Sequence, residues 1–329
     1  MSKTLFGRLA LAGLAFCAAL ASLPALAQSP NWPTKPVKFI VPFPPGGSVD
    51  PLARLLAVRL SESMGQQFIV ENKPGASGSI GTASVAKSAP DGYNFVFVFD
   101  THAVNPTLLP MTFDTVKDLA PVMLIGTAPM AIATHPSKPY KTFADVIAAA
   151  KAKPDTVSYG SIGNGSLGHL TGVLLSQRAG VRMVHVPYRG GGPLMNDALA
   201  GHIDVMVASA ALVTPQVVGG KLRGLAQTGK SRIPGLPDLP TAIESGFTGF
   251  ESYAWWGIFM PGHTPKPIVE RFSKALTETL REQTITKTIS EKMQITMVLG
   301  GPDELRKFVG EQMKLWGAVV REHNIKGDA

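Results

Sequence analysis

Short hydrophobic runs alternate along the chain with stretches in which apolar residues recur at helical spacing. The runs predict strands and the spaced stretches predict helices, an order typical of α/β proteins with parallel sheets. The predicted strands cover residues 37–41, 67–70, 94–99, 121–125, 129–134, 157–161, 183–186, 203–207, 224–228 and 250–260. The predicted helices cover residues 51–60, 79–88, 142–151, 167–174, 194–200, 268–280 and 303–322.

The chain length and the repeated units indicate two lobes, each with its own core. Residues 94–99 form a nearly continuous apolar run, typical of a central strand buried on both faces. We expect extended segments to cross between the lobes twice, first near residue 132 and again near residue 253. This division predicts that residues 28–132 and 254–329 form lobe 1 and that residues 133–253 form lobe 2.

The loop at 42–47 joins the first predicted strand to the first predicted helix. Its prolines cannot continue a strand, and Gly46 and Gly47 permit a positive φ, so the chain must turn. Asp50 directly before Pro51 predicts a helix that Asp50 caps. Free N–H groups at a helix N-terminus attract anions, and glycines allow a ligand to come close. The loop therefore predicts an anion site, with an ordinary strand-to-helix connection as the alternative.

A second glycine-rich loop, at 163–169, also follows a predicted strand and opens a helix. Its G-x-G-x-x-G spacing suggests a dinucleotide site, but no acidic residue follows the next strand to bind a ribose. Ser166 with His169 raises the alternative of a periplasmic serine hydrolase, although Asn164 replaces the first glycine of a nucleophile elbow. Ser166 fits better as a helix cap, with the helix start as a second anion site.

Four further features bear on the possible functions: Trp255, Arg189, the histidines and the basic residues. Trp255 either contacts a ligand or fills the hinge between lobes, and Arg189 either binds a carboxylate or is solvated. The histidines lack the spacing of metal ligands, so we expect neither a metal nor another cofactor. Basic residues are dispersed rather than clustered with aromatic ones, which argues against nucleic-acid binding.

The N-terminus has the pattern of a secretory signal. Lys3 and Arg8 precede an apolar segment that ends at Ala25-Leu26-Ala27, which predicts a signal peptide at 1–27 with cleavage after Ala27. Its removal takes away Cys17, the only cysteine, and lowers the formal net charge from +8 to +6. We therefore expect an exported protein without disulfides.

Several segments in order along the chain carry a family resemblance. They are PFPPGGSVDPLAR at 42–54, ENKPGASGSIG at 71–81, THAVNP at 101–106, YGSIGNGSLGHL at 159–170, VHVPYRG at 184–190 and WWGIFMPGHTP at 255–265. Together they resemble the substrate-binding proteins of tripartite tricarboxylate transporters, the Bug family. The resemblance spans essentially the whole chain after the signal.

The resemblance implies a periplasmic, two-lobed binding protein of type II-like α/β fold. Each lobe would hold a parallel-rich sheet with helices on both faces, and two extended hinge crossings would join the lobes. Such a protein is not an enzyme. As a monomer, it would enclose a dicarboxylate, tricarboxylate or aromatic acid between its lobes and deliver it to the membrane permease subunits. A ligand sensor that feeds a membrane receptor remains an alternative.

The ligand-binding residues expected from the two loops and the resemblance fall in seven stretches of the sequence. They are Phe43, Pro44, Gly46, Gly47, Ser48, Ala76, Ser77, Thr101, His102, Asn105, Ser161, Gly163, Asn164, Gly165, Ser166, His169, Tyr188, Arg189, Ala208, Ser209 and Trp255.

Two positions depart from the family pattern. Ala208 stands where relatives that take amino acids tend to have an acidic residue, so no carboxylate is available there for an ammonium group. Asp100 stands where many relatives have a small neutral residue. If its side chain points into the cleft, it disfavours a second ligand carboxylate or accepts from a hydroxyl, and strand alternation equally allows it to point away.

Overall fold

The computed structural model describes residues 32–327, so the predicted signal peptide lies outside the described residues. Residues 35–327 form one compact unit. Its ten strands are β1 Val37–Val41, β2 Phe68–Asn72, β3 Asn94–Val98, β4 Leu119–Thr134, β5 Ser158–Ser161, β6 Val184–Pro187, β7 Val205–Ser209, β8 Arg223–Gln227, β9 Tyr253–Pro261 and β10 Thr296–Gly300.

Helices connect most of these strands. They are α1 Val49–Met64, α2 Ser79–Ala86, α3 Thr101–Leu108, α4 Phe143–Ala152, α5 Leu167–Ala179, α6 Gly191–Leu199, α7 Ala210–Val218, α8 Lys266–Arg281, α9 Gln283–Lys287 and α10 Pro302–Glu322. A single 3-10 turn, Ala76–Gly78, precedes α2, and a π-helical turn, Thr288–Lys292, follows α9. The sequence pattern had not predicted α3, α7, α9 or β10.

Two groups of parallel strands are joined through antiparallel ones. In the first group β1 pairs with β2 and β3, and in the second group β5 pairs with β6 and β7. The long strand β4 pairs antiparallel with β9 and β10 along its first part and with β7 and β8 along its last part. The α/β fold with parallel strands in each group is as expected, and the division into lobes at 132/133 and 253/254 stays a prediction.

The strand β4 corrects the expectation of two short strands at 121–125 and 129–134. The two apolar runs, which begin at Pro121 and Pro129, belong to this one strand. The pairing of β4 with β9 shifts register between Pro121 and Met123 and again between Leu124 and Gly126, and the chain continues as one strand. β-Bulges of this kind bend a strand without ending it.

The core lies where β3, β9 and α10 pack together. It includes Val98, Trp255, Phe259, Leu305 and Val309, all of which are buried. β3 is buried over nearly its whole length, as its continuous apolar run predicts. Both Trp255 and its neighbour Trp256 are fully buried, because β9 is an inner strand covered on both faces.

Candidate functional site

Three helix N-termini meet at an inner cavity. Ser48 precedes α1, Gly191 is the first residue of α6, and Ser209 precedes α7. The complete lining is Phe43, Pro44, Gly47, Ser48, Val49, Asp50, Phe99, Met130, Ile162, Gly191, Ala208, Ser209 and Leu212. The N-termini come together because each of these helices follows the carboxyl end of a strand.

The inner cavity favours an anion although no Lys or Arg lines it among the described residues. In the described part of the chain, Ser48, Gly190 and Ser209 make no side-chain capping hydrogen bond to their own helices. The first N–H groups of a helix have no partner within the helix, and the helix dipole places partial positive charge there. Backbone amides therefore supply the attraction for a negative group.

Asp50 is the only ionisable side chain that lines the inner cavity, among the residues described. It was expected to cap α1, but that was wrong: the helix begins at Val49, two residues before the predicted start at Pro51, and Ser48 occupies the N-cap position. The Asp50 carboxylate accepts hydrogen bonds from Arg54 Nε, at 2.9 Å, and Asn72 Nδ2, at 2.8 Å. The Arg54 guanidinium thus balances the charge of Asp50.

The rest of the inner cavity is apolar. Phe99, Met130, Ile162 and Leu212 form its walls. The space that a water-sized sphere can occupy inside it is about 20 Å³, room for about one water molecule. A dicarboxylate is larger than this, so the surrounding loops must separate before such a ligand enters.

A wider outer groove, about 740 Å³ in volume, continues from the inner cavity past Phe43 and Pro44. Ser77 and Gly163 line it, together with Ala76, Tyr188 and Arg189. The Tyr188 hydroxyl donates a hydrogen bond to Asp197 Oδ2 at 2.7 Å. Burial and this carboxylate raise the pKa of Tyr188 to about 12, so the side chain stays a neutral, oriented wall of the groove.

Glycines allow the loop before α1 to touch the start of α6. A Cβ atom on Gly191 would lie 2.9 Å from the Gly47 Cα atom, and one on Gly192 would lie 2.5 Å from the Pro45 carbonyl oxygen. Gly190 has φ +119°, which L side chains rarely adopt. The predicted loop residues Gly46 and Gly47 thus face Gly191 and Gly192.

The start of α5, expected to be the second anion site, uses its polar groups within the protein. Ser166 Oγ accepts from the His169 N–H, which confirms Ser166 as the helix cap. The Gly165 N–H donates to His169 Nδ1 at 3.1 Å, and the Leu167 N–H donates to Asp100 Oδ1 at 3.3 Å. The inner cavity therefore adjoins Ile162, not the helix start, and Gly163 is on the outer groove.

Two stacked histidines support the α5 loop from behind. The rings of His169 and His185 lie 3.7 Å apart and nearly parallel. Ser161 Oγ lies 2.7 Å from His185 Nε2, and the fully buried Ser166 Oγ lies 3.1 Å from Ser161 Oγ. Burial, and to a lesser extent His169, lower the pKa of His185 to about 3. His185 is thus neutral, and the fully buried Ser166 is enclosed rather than presented to a substrate.

Several predicted ligand residues lie away from both cavities. Trp255 packs in the core against Phe308, and His102 packs against Phe259 with ring centroids 5.0 Å apart. Burial lowers the pKa of His102 to about 4. Their placement does not support the expectation that Trp255 and His102 contact the ligand, because both elements turn these side chains into the core.

The remaining predicted residues have supporting positions. Thr101 is buried as the first residue of α3. Asn105 Nδ2 donates to the Ser77 carbonyl at 3.0 Å, and Ser77 Oγ donates to the Asn164 carbonyl at 3.3 Å. Ala208 and Ser209 line the inner cavity as expected.

Sequence reasoning missed part of the inner cavity. The start of α6 at Gly190–Gly192 carried the same signal as the loop at 42–47, since glycines there also follow a strand and open a helix. Phe99, Met130 and Leu212 gave no signal, because apolar residues at strand ends and in helices are ordinary core residues in a sequence.

Within residues 32–327, His, Cys, Asp and Glu side chains form no group of three that could hold a metal ion. No helix in the same range is long and apolar enough to cross a membrane.

Solved structures of other proteins share this fold. The periplasmic binding protein BugD is 32% identical, with a TM-score of 0.85 over 90% of this chain and 100% of that chain. R. palustris Rpa4515, solved with adipate, is 33% identical, with a TM-score of 0.86 over 90% and 99%. MatC from Rhodopseudomonas palustris, solved with bound malate, is 28% identical, with a TM-score of 0.81 over 88% and 100%.

The fold and the cavity between helix N-termini define the class of periplasmic solute-binding proteins. Residues 52–325 match the family model described as the tripartite tricarboxylate transporter family receptor. The chain belongs to this family, as the sequence segments had suggested. The members of this family are periplasmic binding proteins.

Proposed function

We propose that the protein captures a small organic carboxylate between two lobes and delivers it to the membrane permease of a tripartite transporter. The observation that carries this proposal is the meeting of three helix N-termini at one cavity. Amides of separate elements converge there without a positive side chain. That arrangement suits a carboxylate, whose two oxygens accept several N–H groups at once.

The cavity chemistry favours an acid with an apolar middle. One carboxylate binds at the amides near Ser48, Gly191 and Ser209, and the carbon chain lies along Phe99 and Met130. A second polar end reaches the outer groove, where a guanidinium is available from Arg189. A similar protein was solved with adipate, an acid of this shape.

Ala208 in the wall excludes amino acids from the preferred ligands. An ammonium group placed there would be buried without a counter-charge, which costs several kcal/mol. Asp50, the nearest acid in the lining, is already held by Arg54. Acids without an amino group are therefore the expected class.

Binding requires hinge motion between the lobes. The inner cavity is too small for a dicarboxylate, and the loop at Gly47 touches the start of α6 at Gly191. Opening separates these contacts, and a ligand that bridges both sides then stabilises the closed form. The proposed hinge segments are the C-terminal end of β4 and the start of β9, at the predicted lobe boundaries 132/133 and 253/254.

The proposal also includes the location, oligomeric state and partners of the protein. The protein is exported with cleavage after Ala27, acts as a monomer without a cofactor, and binds its ligand without turnover. Its partners are the carboxylate and the permease subunits, with no nucleic acid.

Isothermal titration calorimetry with adipate, malate, citrate, benzoate and glutamate tests the proposal. We expect binding of at least one acid without an amino group and weaker binding of glutamate. Gly191→Ala should weaken binding at least tenfold, because its Cβ would press on Gly47 in the closed form. Gly310→Ala is the control, since a Cβ there meets nothing within 4 Å. The proposal would be contradicted if sugars or cations gave a heat of binding and no carboxylate did.

A further inference from the structure

Asp100 connects the two strand groups through a buried hydrogen bond. It lies just before α3, which follows β3, while Leu167 opens α5, which follows β5. Asp100 Oδ1 accepts from the Leu167 N–H at 3.3 Å. The residue is only 2% exposed, and its second oxygen, Oδ2, has no hydrogen-bond partner within the described chain. An ionised carboxylate in this position is poorly satisfied, since buried charges require partners.

Neighbouring contacts show that the start of α5 is docked onto the end of α3. Ser77 Oγ donates to the Asn164 carbonyl across the same boundary. Gly165 lies directly against Leu108 of α3, with φ +71°. If the lobes separate, these contacts break, and both Asp100 and the Leu167 N–H become hydrated.

We propose that Asp100 is a positioning residue for ligand binding, which takes up a proton from water when the lobes close and releases it when they open. The proton adds to the carboxylate, and no other bond is made or broken. This inference rests on the proposed function, since closure around a ligand is part of it. Asp100 acts through the α5 loop, whose position it sets, and does not line either cavity.

Among residues 32–327, no positively charged side chain acts on the Asp100 carboxyl to keep it ionised. Its own helix carries His102, which is buried and whose pKa is lowered to about 4. Beyond Leu167 in α5, His169 stacks on His185, whose pKa is lowered to about 3. The turn at 76–78 and α2 contain no charged residue. The face of α10 that packs on α3 and the core is apolar.

The electrostatics agree with the geometry. Burial raises the pKa of Asp100 to about 7, against the opposing hydrogen bonds from the Leu167 and Thr101 N–H groups. In the open form the hydrated carboxyl returns towards its ordinary pKa of 3.8. A raised pKa means that the closed form binds the proton more tightly, so closure is favoured as the pH falls towards 4 and loses this support as the pH rises through 7.

Calorimetry at pH 6 and pH 8 with the panel acid that binds most tightly tests the inference. The wild-type protein should bind about tenfold more tightly at pH 6 than at pH 8, from proton linkage at a group with pKa about 7. At pH 7 it should take up about half a proton per ligand, measured from the heats in buffers of different ionisation enthalpy.

Two variants distinguish the effect of protonating Asp100 from the effect of the hydrogen bonds across the boundary. Asp100→Asn keeps the shape and an acceptor for the Leu167 N–H, and it should bind with the same affinity at both pH values. Ser77→Ala removes the other bond across the boundary, so it should bind more weakly but keep the tenfold ratio. The acid's own titration is common to all variants. A ratio that persists in Asp100→Asn, or that is absent from the wild type, would overturn the inference.

A measurement without ligand keeps the two proposals distinguishable. If no panel acid binds, the proposed function fails, but the closing of the lobes can still be measured by small-angle X-ray scattering. The wild-type radius of gyration should be smaller at pH 6 than at pH 8, and that of Asp100→Asn should be equal at both. A radius that falls from pH 8 to pH 6 as much in Asp100→Asn as in the wild type would overturn the role of Asp100.

Discussion

Asn72 holds the Phe43 carbonyl through a hydrogen bond of 3.0 Å from its side-chain amide. The same amide nitrogen donates to Asp50 Oδ1 at 2.8 Å. One side chain at the end of β2 thus fixes both the loop after β1 and the first turn of α1. The backbone amides near Ser48, which we propose bind the ligand carboxylate, owe their position to this brace.

Replacing Asn72 by Ala should therefore weaken ligand binding. The buried Phe43 carbonyl loses its donor, and the loop before α1 becomes free to shift, with a loss of stability of about 1 kcal/mol. We expect a several-fold rise in Kd by calorimetry. Lys73→Ala, next to it on the exposed side, serves as the control and should bind as the wild type does. Equal affinities of Asn72→Ala and the wild type would show that the brace is not needed.

His102 should make the protein less stable in acid. Its folded pKa of about 4 lies below the ordinary value of 6.5. The unfolded chain therefore binds a proton that the folded chain rejects, and stability falls as the pH drops below 6.5. His102→Leu should remove this loss, which amounts to about 2 kcal/mol at pH 5.

Urea unfolding at pH 5 and pH 7.5 measures the His102 effect. The difference in the free energy of unfolding between the two pH values should be smaller in His102→Leu than in the wild type. His263→Leu, at an exposed position, should leave that difference unchanged. The same pH dependence in His102→Leu and the wild type would refute the assignment.

Trp255 should matter for stability and not for binding. Trp255→Phe leaves a gap in the core beside Leu305 and Phe308, and we expect a loss of about 1 to 3 kcal/mol of stability. Ligand affinity, measured at a temperature where the variant is folded, should stay within twofold. Phe99→Leu is the matched comparison, because Phe99 lines the inner cavity and its variant should bind more weakly. If Trp255→Phe binds the ligand more weakly and Phe99→Leu does not, Trp255 contacts the ligand and the assignment of Trp255 to the core alone is wrong.

Ser166 should act as a helix cap and not as a nucleophile. Ser166→Ala removes the acceptor for the His169 N–H and should cost about 1 kcal/mol of stability. Ser84→Ala in α2 should cost less stability, because the Ser84 hydroxyl only donates a hydrogen bond to the Gly81 carbonyl of the same helix. Neither the wild type nor Ser166→Ala should hydrolyse p-nitrophenyl esters. Ester turnover that Ser166→Ala abolishes would favour the hydrolase alternative.

The sequence predicted most strands and the first half of the site for local reasons. The prolines and glycines at 42–47 specify a turn wherever they occur, and Thr142 forms the expected cap of α4 together with Asp145. The pattern also predicted the buried strand β3. These features depend on a few consecutive residues, so periodicity and turn chemistry are enough to find them.

The rest of the site depends on contacts between distant segments. Whether the amides at 163–169 are free is decided by Asp100 and His169, and the sequence gives no sign of the Asp100 contact. The convergence of α6 with α1 depends on how β4 places the two strand groups. It pairs directly with β7 of the second group, and it reaches β3 of the first group through β9, with irregular register. Such long-range placement also turned Trp255 and Trp256 into the core together.

A crystal structure of the protein grown with the panel acid of highest affinity tests the central claim most directly. We predict that one ligand carboxylate lies within hydrogen-bonding distance of backbone N–H groups from α1 and α6, near Ser48 and Gly191, with its carbon chain against Phe99. A carboxylate bound instead at the α5 start, 163–169, or outside both cavities would contradict the account.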